Sequence, residues 1–536
     1  MASQGRGFKR VGSYSFKQRD FVDQARSYQI GTMGPSSFAP EKNILQDRGD
    51  RPTTRSFPRR EDSSLLLVVF LRHGDPRDLR MAKMVTAVLE VQPRERVDPP
   101  VSAGIRAWRW STLFWLVLVG FAVRLSFMLL LGTYRFDRID DYCGFGEVAN
   151  IGRSIAQGRG FSSPFHDEYT GATAWLAPIY PYFLAFIFRA LGFVTGATPI
   201  FIFIFVVQGL FSALTVIPIL GIASRTVGRR AGHWAAWTWI VFPWFSKWSV
   251  TWVWDLSLST LLFALLFWCA LCLPEAPNRR AWIGFGALWG FALLVNPALV
   301  TLLPVSLAWC GYNLYQRKRE WLKPALFSLL TCLIVISPWL LRNRAAFGQW
   351  VFLRSNFGVE FALGNYHGSL GRGESGTHPT GNPKEYASYM RMGEIAYVQS
   401  KQKLAFQFVR DYPWEFIALT AKRVAYFWDG SSMDYRAPVA WYWMPSSFAV
   451  LSFLLLPALL VAHRRNVHAW QMFFGALLLY PLPYYVTFSQ VRYRHAIEPI
   501  LLLLIAYAGV EAATKVVSSA KRAQQAWAVR VAAKVA

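Results

Sequence analysis

Long apolar runs alternate with short basic landings along most of the chain. A helix needs ~20 predominantly apolar residues to cross the hydrocarbon core of a bilayer. Runs near that length cover residues 108–132, 200–223, 232–249, 256–273, 282–294, 298–314, 324–341, 441–462, 469–488 and 496–513. The pattern predicts about ten membrane-spanning helices. Between them lie RTVGRR (225–230 and the Thr226–Gly228 within it), Asn278-Arg279-Arg280, QRKREWLK (316–323) and His463-Arg464-Arg465. Positive-inside bias puts such landings, and both chain ends, in the cytoplasm.

Two stretches break the alternation, and both are expected outside. Residues 133–198 are too polar to cross and too aromatic for a plain linker. Within them, Val148, Ile151 and Ile155 recur at helical spacing, while Glu147, Asn150 and Ser154 share another face, which predicts a short interfacial helix over 145–157. Gly158, Gly160 and Pro164 end it, and Pro178 to Leu191 follows as an apolar helix. The landing parity makes that second helix re-entrant or interfacial rather than spanning, its start fixed by the paired prolines around Ile179-Tyr180. The other stretch, 342–440, is the longest loop, with an amphipathic segment near Phe416 to Trp428.

Residues 1–107 differ from the rest. They are rich in Arg, Ser, Asp and Pro, lack sustained periodicity, and read as a disordered basic cytoplasmic tail. A start at Met81 or Met84 is the other expectation for this region. Residues 514–536 read as a basic cytoplasmic tail.

Composition agrees with a polytopic all-α membrane protein: of 536 residues, 54% are hydrophobic and only 16% charged, against roughly 25% charged in soluble domains. The net charge of +26 is carried largely by the tail and the landings, so no nucleic-acid partner is expected. Cys269 and Cys272 form a CxxC by spacing, but inside an apolar helix a thiolate is disfavoured and packing is the expected role. Cys143 alone is placed outside, so no disulfide within the chain is expected.

Two arginine pairs violate the charge bias. Arg342 and Arg344, and Arg492 and Arg494, fall against outer ends of spans. Arginine forks bind phosphate bidentately, so these four are candidates for the phosphate of a lipid headgroup. Anchoring to anionic lipid is the plainer alternative.

The motifs then fall in an order: G-x-G-F-S-S-P-F (158–165), T-A-W-L-A-P-I-Y-P (173–181), Trp254-Asp255, S-P-W-x-x-R-N (337–343), R-S-N-F-G-V-E-F-A-L-G-N (354–365) and R-Y-R-H-x-x-E-P (492–499). Together with the acidic loop after the first span, this order resembles bacterial members of glycosyltransferase family 39, the protein O-mannosyltransferase and aminoarabinose-transferase relatives with the GT-C fold. The likeness covers residues 108–513. It implies a membrane glycosyltransferase taking a sugar from a polyprenyl-phosphate carrier on the outer leaflet to an acceptor hydroxyl or phosphate, with inversion. It also implies an essential carboxylate in the first outer loop. Glu147 best matches that position, although Gly146-Glu147-Val148 departs from the acidic pair of many relatives. Asp140 and Asp141 are the alternatives.

Such a transfer needs a base for the incoming hydroxyl and stabilisation of the departing phosphate. Glu147, or Asp140 or Asp141, is the base candidate. Asp255 either orients the acceptor, helps hold a divalent ion, or caps the helix that follows. His166, Asp167 and Glu168 are candidate metal ligands. Glu360, Asn365 and Tyr180 are candidate substrate contacts, and Glu498 is expected to steady the Arg492 and Arg494 side chains by a salt bridge. A flippase or transporter of a lipid-linked sugar is the rival class. It would favour internal repeats and ionisable groups at midplane, whereas the carboxylates here gather in outer loops. A structural protein of an envelope complex, docking through 342–440, is a third reading.

Overall fold

The computed structural model describes residues 110–136, 146–165, 168–192, 197–276, 278–373, 375–431 and 443–535. Asp140, Asp141, Cys143, His166, Asp167 and the tail 1–107 lie outside the described residues. Within them the chain is helical. No strand forms, and one isolated antiparallel bridge pairs Ser162 with Ala172.

Seven helical stretches are long and apolar enough to cross a membrane: Trp110–Leu131, Ala197–Arg225, Leu256–Glu275, Pro297–Gln316, Leu322–Phe347, Ser447–Arg464 and Val491–Ala528. The other three expected spans are shorter or broken, and two of the breaks fall at prolines. Residues 232–249 form two helices, Arg229–Val241 and Pro243–Thr251, joined at an extended Phe242. The residue before a proline is pushed out of the α region, and proline lacks the N–H that a continuous helix needs. Residues 469–488 divide into Trp470–Leu479 and Leu482–Val486 around Pro481 and Pro483. The third, Arg279–Val295, has 17 residues, roughly 25 Å of helix at 1.5 Å per residue. Asn278 caps it, accepting from the Ala281 N–H at 2.9 Å.

The proline break at residue 243 leaves the carbonyl of Trp239 without its usual helical donor. Arg124, buried in the first helix on the face formed by Leu113, Leu116, Gly120 and Met128, takes that carbonyl at 3.0 Å. The same guanidinium bonds Ser212 Oγ at 2.9 Å and the Gly120 carbonyl at 3.0 Å. A cation inside a membrane helix is thus held in part by a carbonyl that the proline break leaves without its helical donor. The four described cysteines are free thiols.

The two outer stretches are helical and bound to each other. A helix forms where one is expected, Gly146–Ala156, and packs on Ile179–Leu191, a 13-residue helix. Among its described residues, the 342–440 stretch beyond the end of the Leu322–Phe347 helix holds the α-helices Phe357–Gly364, Pro383–Met392, Glu394–Asp411 and Pro413–Asp429. The last matches the amphipathic segment expected near 416–428. The final helix runs from Glu498 to Val535, through the expected tail.

A buried carboxylate ties the two stretches together. Glu394 accepts hydrogen bonds from Thr173 Oγ1, the Ala174 N–H at 2.8 Å, Ser355 Oγ at 2.7 Å and the Tyr389 hydroxyl at 3.1 Å. Burial pushes its carboxyl above the ordinary value, against the pull of these four donors. Glu394→Gln would set an amide N–H₂ against two of them. The expected loss is about 3 kcal/mol, read as a lowered unfolding midpoint in detergent. Glu320→Gln, at an exposed pair with Lys323, should move the midpoint by less than about 1 kcal/mol.

Candidate active site

Glu147 stands in the first turn of the Gly146–Ala156 helix, its side chain 17% exposed. Its Oε1 lies 3.5 Å from both His378 Nε2 and Thr380 Oγ1. His378 packs edge-on against Phe165 and Trp175, which come from the first and second motifs. At the start of the same helix, a Cβ added to Gly146 would come within 3.7 Å of the Trp254 ring. The first outer segment therefore rests on the Trp254-Asp255 turn.

That turn is held from beneath. The Tyr180 hydroxyl donates to Gln208 Oε1, and Gln208 Nε2 donates to the carbonyls of Ser249 at 2.9 Å and Trp252 at 3.0 Å. Tyr180 is buried, so the structure makes it a support of the turn rather than part of an open surface. Asp255 precedes the Leu256–Cys272 helix but its side chain makes no capping bond. Instead it accepts from Ser259 Oγ and from Asn296 Nδ2 at 2.9 Å. Burial pushes its carboxyl upward, opposed by Ser259 and by the charge of Arg354.

Arg354 links the parts. Its Nε donates to the Trp175 carbonyl at 3.2 Å, and Nη2 lies 3.8 Å from Glu360 Oε1. The S-P-W-x-x-R-N motif explains its placement. Trp339 Nε1 bonds the Leu353 carbonyl at 2.9 Å, and Asn343 Nδ2 bonds the Val351 and Phe352 carbonyls at 3.2 and 3.1 Å. Both fix the backbone leading into Arg354. Glu360 rides on Phe357–Gly364, which is wedged between neighbouring backbones. A Cβ on Gly358 would sit 2.3 Å from the Val398 carbonyl, and one on Gly364 1.8 Å from that of Thr487, so only glycine permits either approach. Asn356 Nδ2 donates to Glu360 at 2.7 Å. The Glu360 side chain keeps 29% of its surface accessible while protein surrounds it. Desolvation pushes its carboxyl up, with the Glu147 charge, while Arg354, His378 and Arg492 pull it down. Arg492 is within the electrostatic reach of Glu360 and lies over the Trp252 and Tyr493 rings at 4.8 and 5.2 Å.

The structure thus brings Glu147, Asp255, Glu360 and Arg492 around Arg354 and His378, two residues that sequence reasoning did not single out. Arg354 opens a motif quoted for the resemblance, whereas nothing in the pattern marks His378 or Glu394.

The remaining candidates are elsewhere. Arg342, in the last turns of the Leu322–Phe347 helix, donates to the carbonyls of Thr173 at 2.6 Å and Phe161 at 2.8 Å. Arg344 is exposed in the same turns. Arg494 is buried, paired with Glu498 at 2.6 Å, and donates to the Trp428 carbonyl at 2.8 Å and Ser452 Oγ at 2.6 Å. Glu498 therefore steadies one arginine of that pair. Asn365 is buried between the Phe361 and Val486 carbonyls, at 2.7 and 2.9 Å, and accepts from Arg423. Glu168 is exposed and accepts from the Tyr386 hydroxyl at 3.2 Å. Among the described residues no group of three or more His, Cys, Asp or Glu could hold a metal ion.

The two outer arginines of R-Y-R-H should separate in a stability measurement. Arg494→Ala strands a buried Glu498 and is expected to cost about 3–5 kcal/mol. Arg492→Ala, losing only ring contacts, should cost about 1 kcal/mol. Thermal unfolding of both purified variants checks this.

Residues 176–341 match the model of the dolichyl-phosphate-mannose-protein mannosyltransferase family. No curated protein matches the chain in sequence. Among solved structures, ArnT from Cupriavidus metallidurans bound to undecaprenyl phosphate is 15% identical over 74% of this chain and 77% of its own, with a TM-score of 0.35. The apo state of the same protein is 12% identical over 74% and 78%, with a TM-score of 0.33. The Archaeoglobus fulgidus oligosaccharyltransferase, tethered with an acceptor peptide, is 9% identical over 75% of this chain and 50% of its own, with a TM-score of 0.38. The family match takes in the T-A-W-L-A-P-I-Y-P segment from Leu176 onward, Trp254-Asp255 and Ser337-Pro338-Trp339; over that stretch the chain is similar to this mannosyltransferase family, and its described residues are those of an all-α polytopic membrane protein.

Proposed function

We propose that the protein transfers a sugar from a polyprenyl-phosphate donor to an acceptor at the outer face of the plasma membrane, with inversion at the anomeric carbon. The observation that carries this is convergence. Three carboxylates from three distant segments, Glu147, Asp255 and Glu360, meet two arginines, Arg354 and Arg492. The name of the matched family supports a polyprenyl-phosphate sugar as donor. The basic landings support an inner membrane location, cytoplasmic ends and an outer site.

In this reading Glu147 is the general base. It is more accessible than the buried Asp255, and its contacts with His378 and Thr380 are long enough to give way to an acceptor hydroxyl. As the acceptor oxygen bonds to the anomeric carbon, its proton passes to Glu147. The bond from that carbon to the phosphate oxygen breaks, and the phosphate leaves with the electron pair. Arg492, whose guanidinium makes no hydrogen bond or ion pair with the described residues, receives the growing charge, with Arg354 beside it. Asp255 and Glu360 position the acceptor and the two arginines.

The test follows donor consumption by mass spectrometry. Wild-type protein and variants in nanodiscs are given a panel of polyprenyl-phosphate sugars and crude envelope extract as acceptor source, with and without chelator. Wild type should consume one donor. Glu147→Gln should slow it by about 10²–10⁴-fold, and Arg492→Ala by about 10²–10³-fold. Full turnover by Glu147→Gln moves the base away from this residue. Movement of a lipid-linked sugar across liposomes without any consumption replaces the transferase with a flippase.

A further inference from the structure

The amphipathic helix Pro413–Asp429 turns Leu419, Arg423 and Phe427 inward. On its opposite face fall Trp414, Ile417, Ala418, Ala421, Val424 and Ala425, and all six are exposed. Trp414 is 80% and Ile417 53% accessible. The height of this helix against the spans is fixed at its C-terminal end. The Trp428 carbonyl accepts from Ser452 Oγ, and from Arg494 Nη1 at 2.8 Å. Ser452 belongs to the span Ser447–Arg464, and Arg494 to the span Val491–Ala528. Ser452 stands about a turn and a half inside its span, roughly 7 Å of helix from the end away from Arg464. A second pin lies beside the first: Arg423 Nη1 reaches the Tyr485 and Val486 carbonyls at 3.2 Å, and Trp428 Nε1 donates to the Tyr485 hydroxyl at 2.6 Å. The span against which Pro413–Asp429 packs, Trp443–Arg464, itself bares Val450, Phe453 and Leu456. Those side chains face lipid in a membrane-spanning helix, so the apolar stripe adjoins a lipid-covered surface.

We propose that Pro413–Asp429 docks into the bilayer interface, on the leaflet away from the His463-Arg464-Arg465 landing. Val424 and Ala425 meet the acyl boundary, and Trp414 stands at headgroup level. Depth and composition decide the occupant. The Trp428 pin lies within the ~5–10 Å to which interfacial helices bury their apolar face. A helix face turned to water carries polar residues, whereas this one carries none. The indole at its far end is a side chain enriched where membrane meets water. Charged groups keep off the stripe: Lys422 is exposed at its edge, and Asp429 accepts from the Ser431 N–H and Oγ, both at 2.7 Å. The docking also sets the height of the candidate site. Arg423 Nη2 donates to the Gly364 carbonyl and to Asn365 Oδ1, at the end of the helix that carries Glu360. A bilayer that holds Pro413–Asp429 therefore holds the Glu360 helix close to the lipid surface. The inference does not depend on the proposed reaction.

Photo-cross-linking of the full chain in phosphatidylcholine nanodiscs tests it. The photoreactive residue p-benzoylphenylalanine replaces Ile417, Val424, Leu456 or Lys384, one at a time, and intact-protein mass spectrometry counts lipid adducts after irradiation. Leu456, bared on a span, is the lipid reference, and Lys384, exposed on Pro383–Met392, is the reference away from lipid. All four positions are exposed, so each protein should unfold at the wild-type temperature. Ile417 and Val424 should yield phosphatidylcholine adducts as Leu456 does, and Lys384 should yield none. Adducts at Ile417 and Val424 no more frequent than at Lys384, with Leu456 labelled, overturn the proposal. A cross-linked dimer from Ile417 or Val424 in place of lipid adducts also overturns it, assigning the stripe to a second copy of the chain.

Discussion

The two helical stretches that carry most of the candidate site hang together on a single buried carboxylate. Glu394 joins Thr173 and Ala174 of the first outer stretch to Ser355 and Tyr389 of the second, across about 220 residues of sequence. A carboxylate with four donors is a strong clamp in a low-dielectric site, and an expensive one to leave half-satisfied. The clamp has two consequences for the chemistry. It fixes the carbonyl of Trp175, which positions Arg354, and it holds the Pro383–Met392 helix near Glu147 through Tyr389 and Phe165. Without it, Glu147 and Arg354 would sit on two separate stretches with no shared frame.

Arginines divide in this protein by what they touch. Arg124, Arg342, Arg423 and Arg494 all donate to backbone carbonyls at helix ends, breaks or loops. A carbonyl buried without a donor costs several kcal/mol in an apolar setting, and these guanidiniums add donors where a helix end, break or loop leaves the backbone short of them. Those side chains are committed. Arg492 is not, and Arg354 is committed only in part. The division reverses the simplest expectation from charge bias, in which any outer arginine beside a span end is equally a phosphate ligand.

The spans, the interfacial helix at Gly146–Ala156 and the amphipathic Pro413–Asp429 helix were legible because hydrophobic periodicity is a local property. The breaks at Phe242 and Pro481 were less so, since an apolar run reads as continuous until proline is weighed against it. Glu147, Asp255, Glu360 and Arg492 could be named from motifs. Their shared centre could not, because the residues that assemble it act over long separations: Arg342 reaches Thr173, and Gln208 reaches Trp252. Asn365 and Tyr180 looked like substrate contacts for the same reason. Polar groups in aromatic surroundings are as readily structural pins as ligands, and only their partners decide.

The seam between the two outer stretches is also where the chemistry needs a compromise. The proposed reaction requires room for an acceptor and for a lipid-borne phosphate, so the carboxylate and the cation proposed to meet them cannot be locked together. Glu147 and Arg492 meet that need. Glu147 touches His378 and Thr380 only at 3.5 Å, and Arg492 rests on ring faces. Tight bonds are reserved for the residues behind them: Asp255 to Asn296, Arg354 to Trp175, Glu394 to its four donors. A rigid second layer behind a loosely held first one lets substrate groups replace weak contacts without disturbing the geometry that positions them.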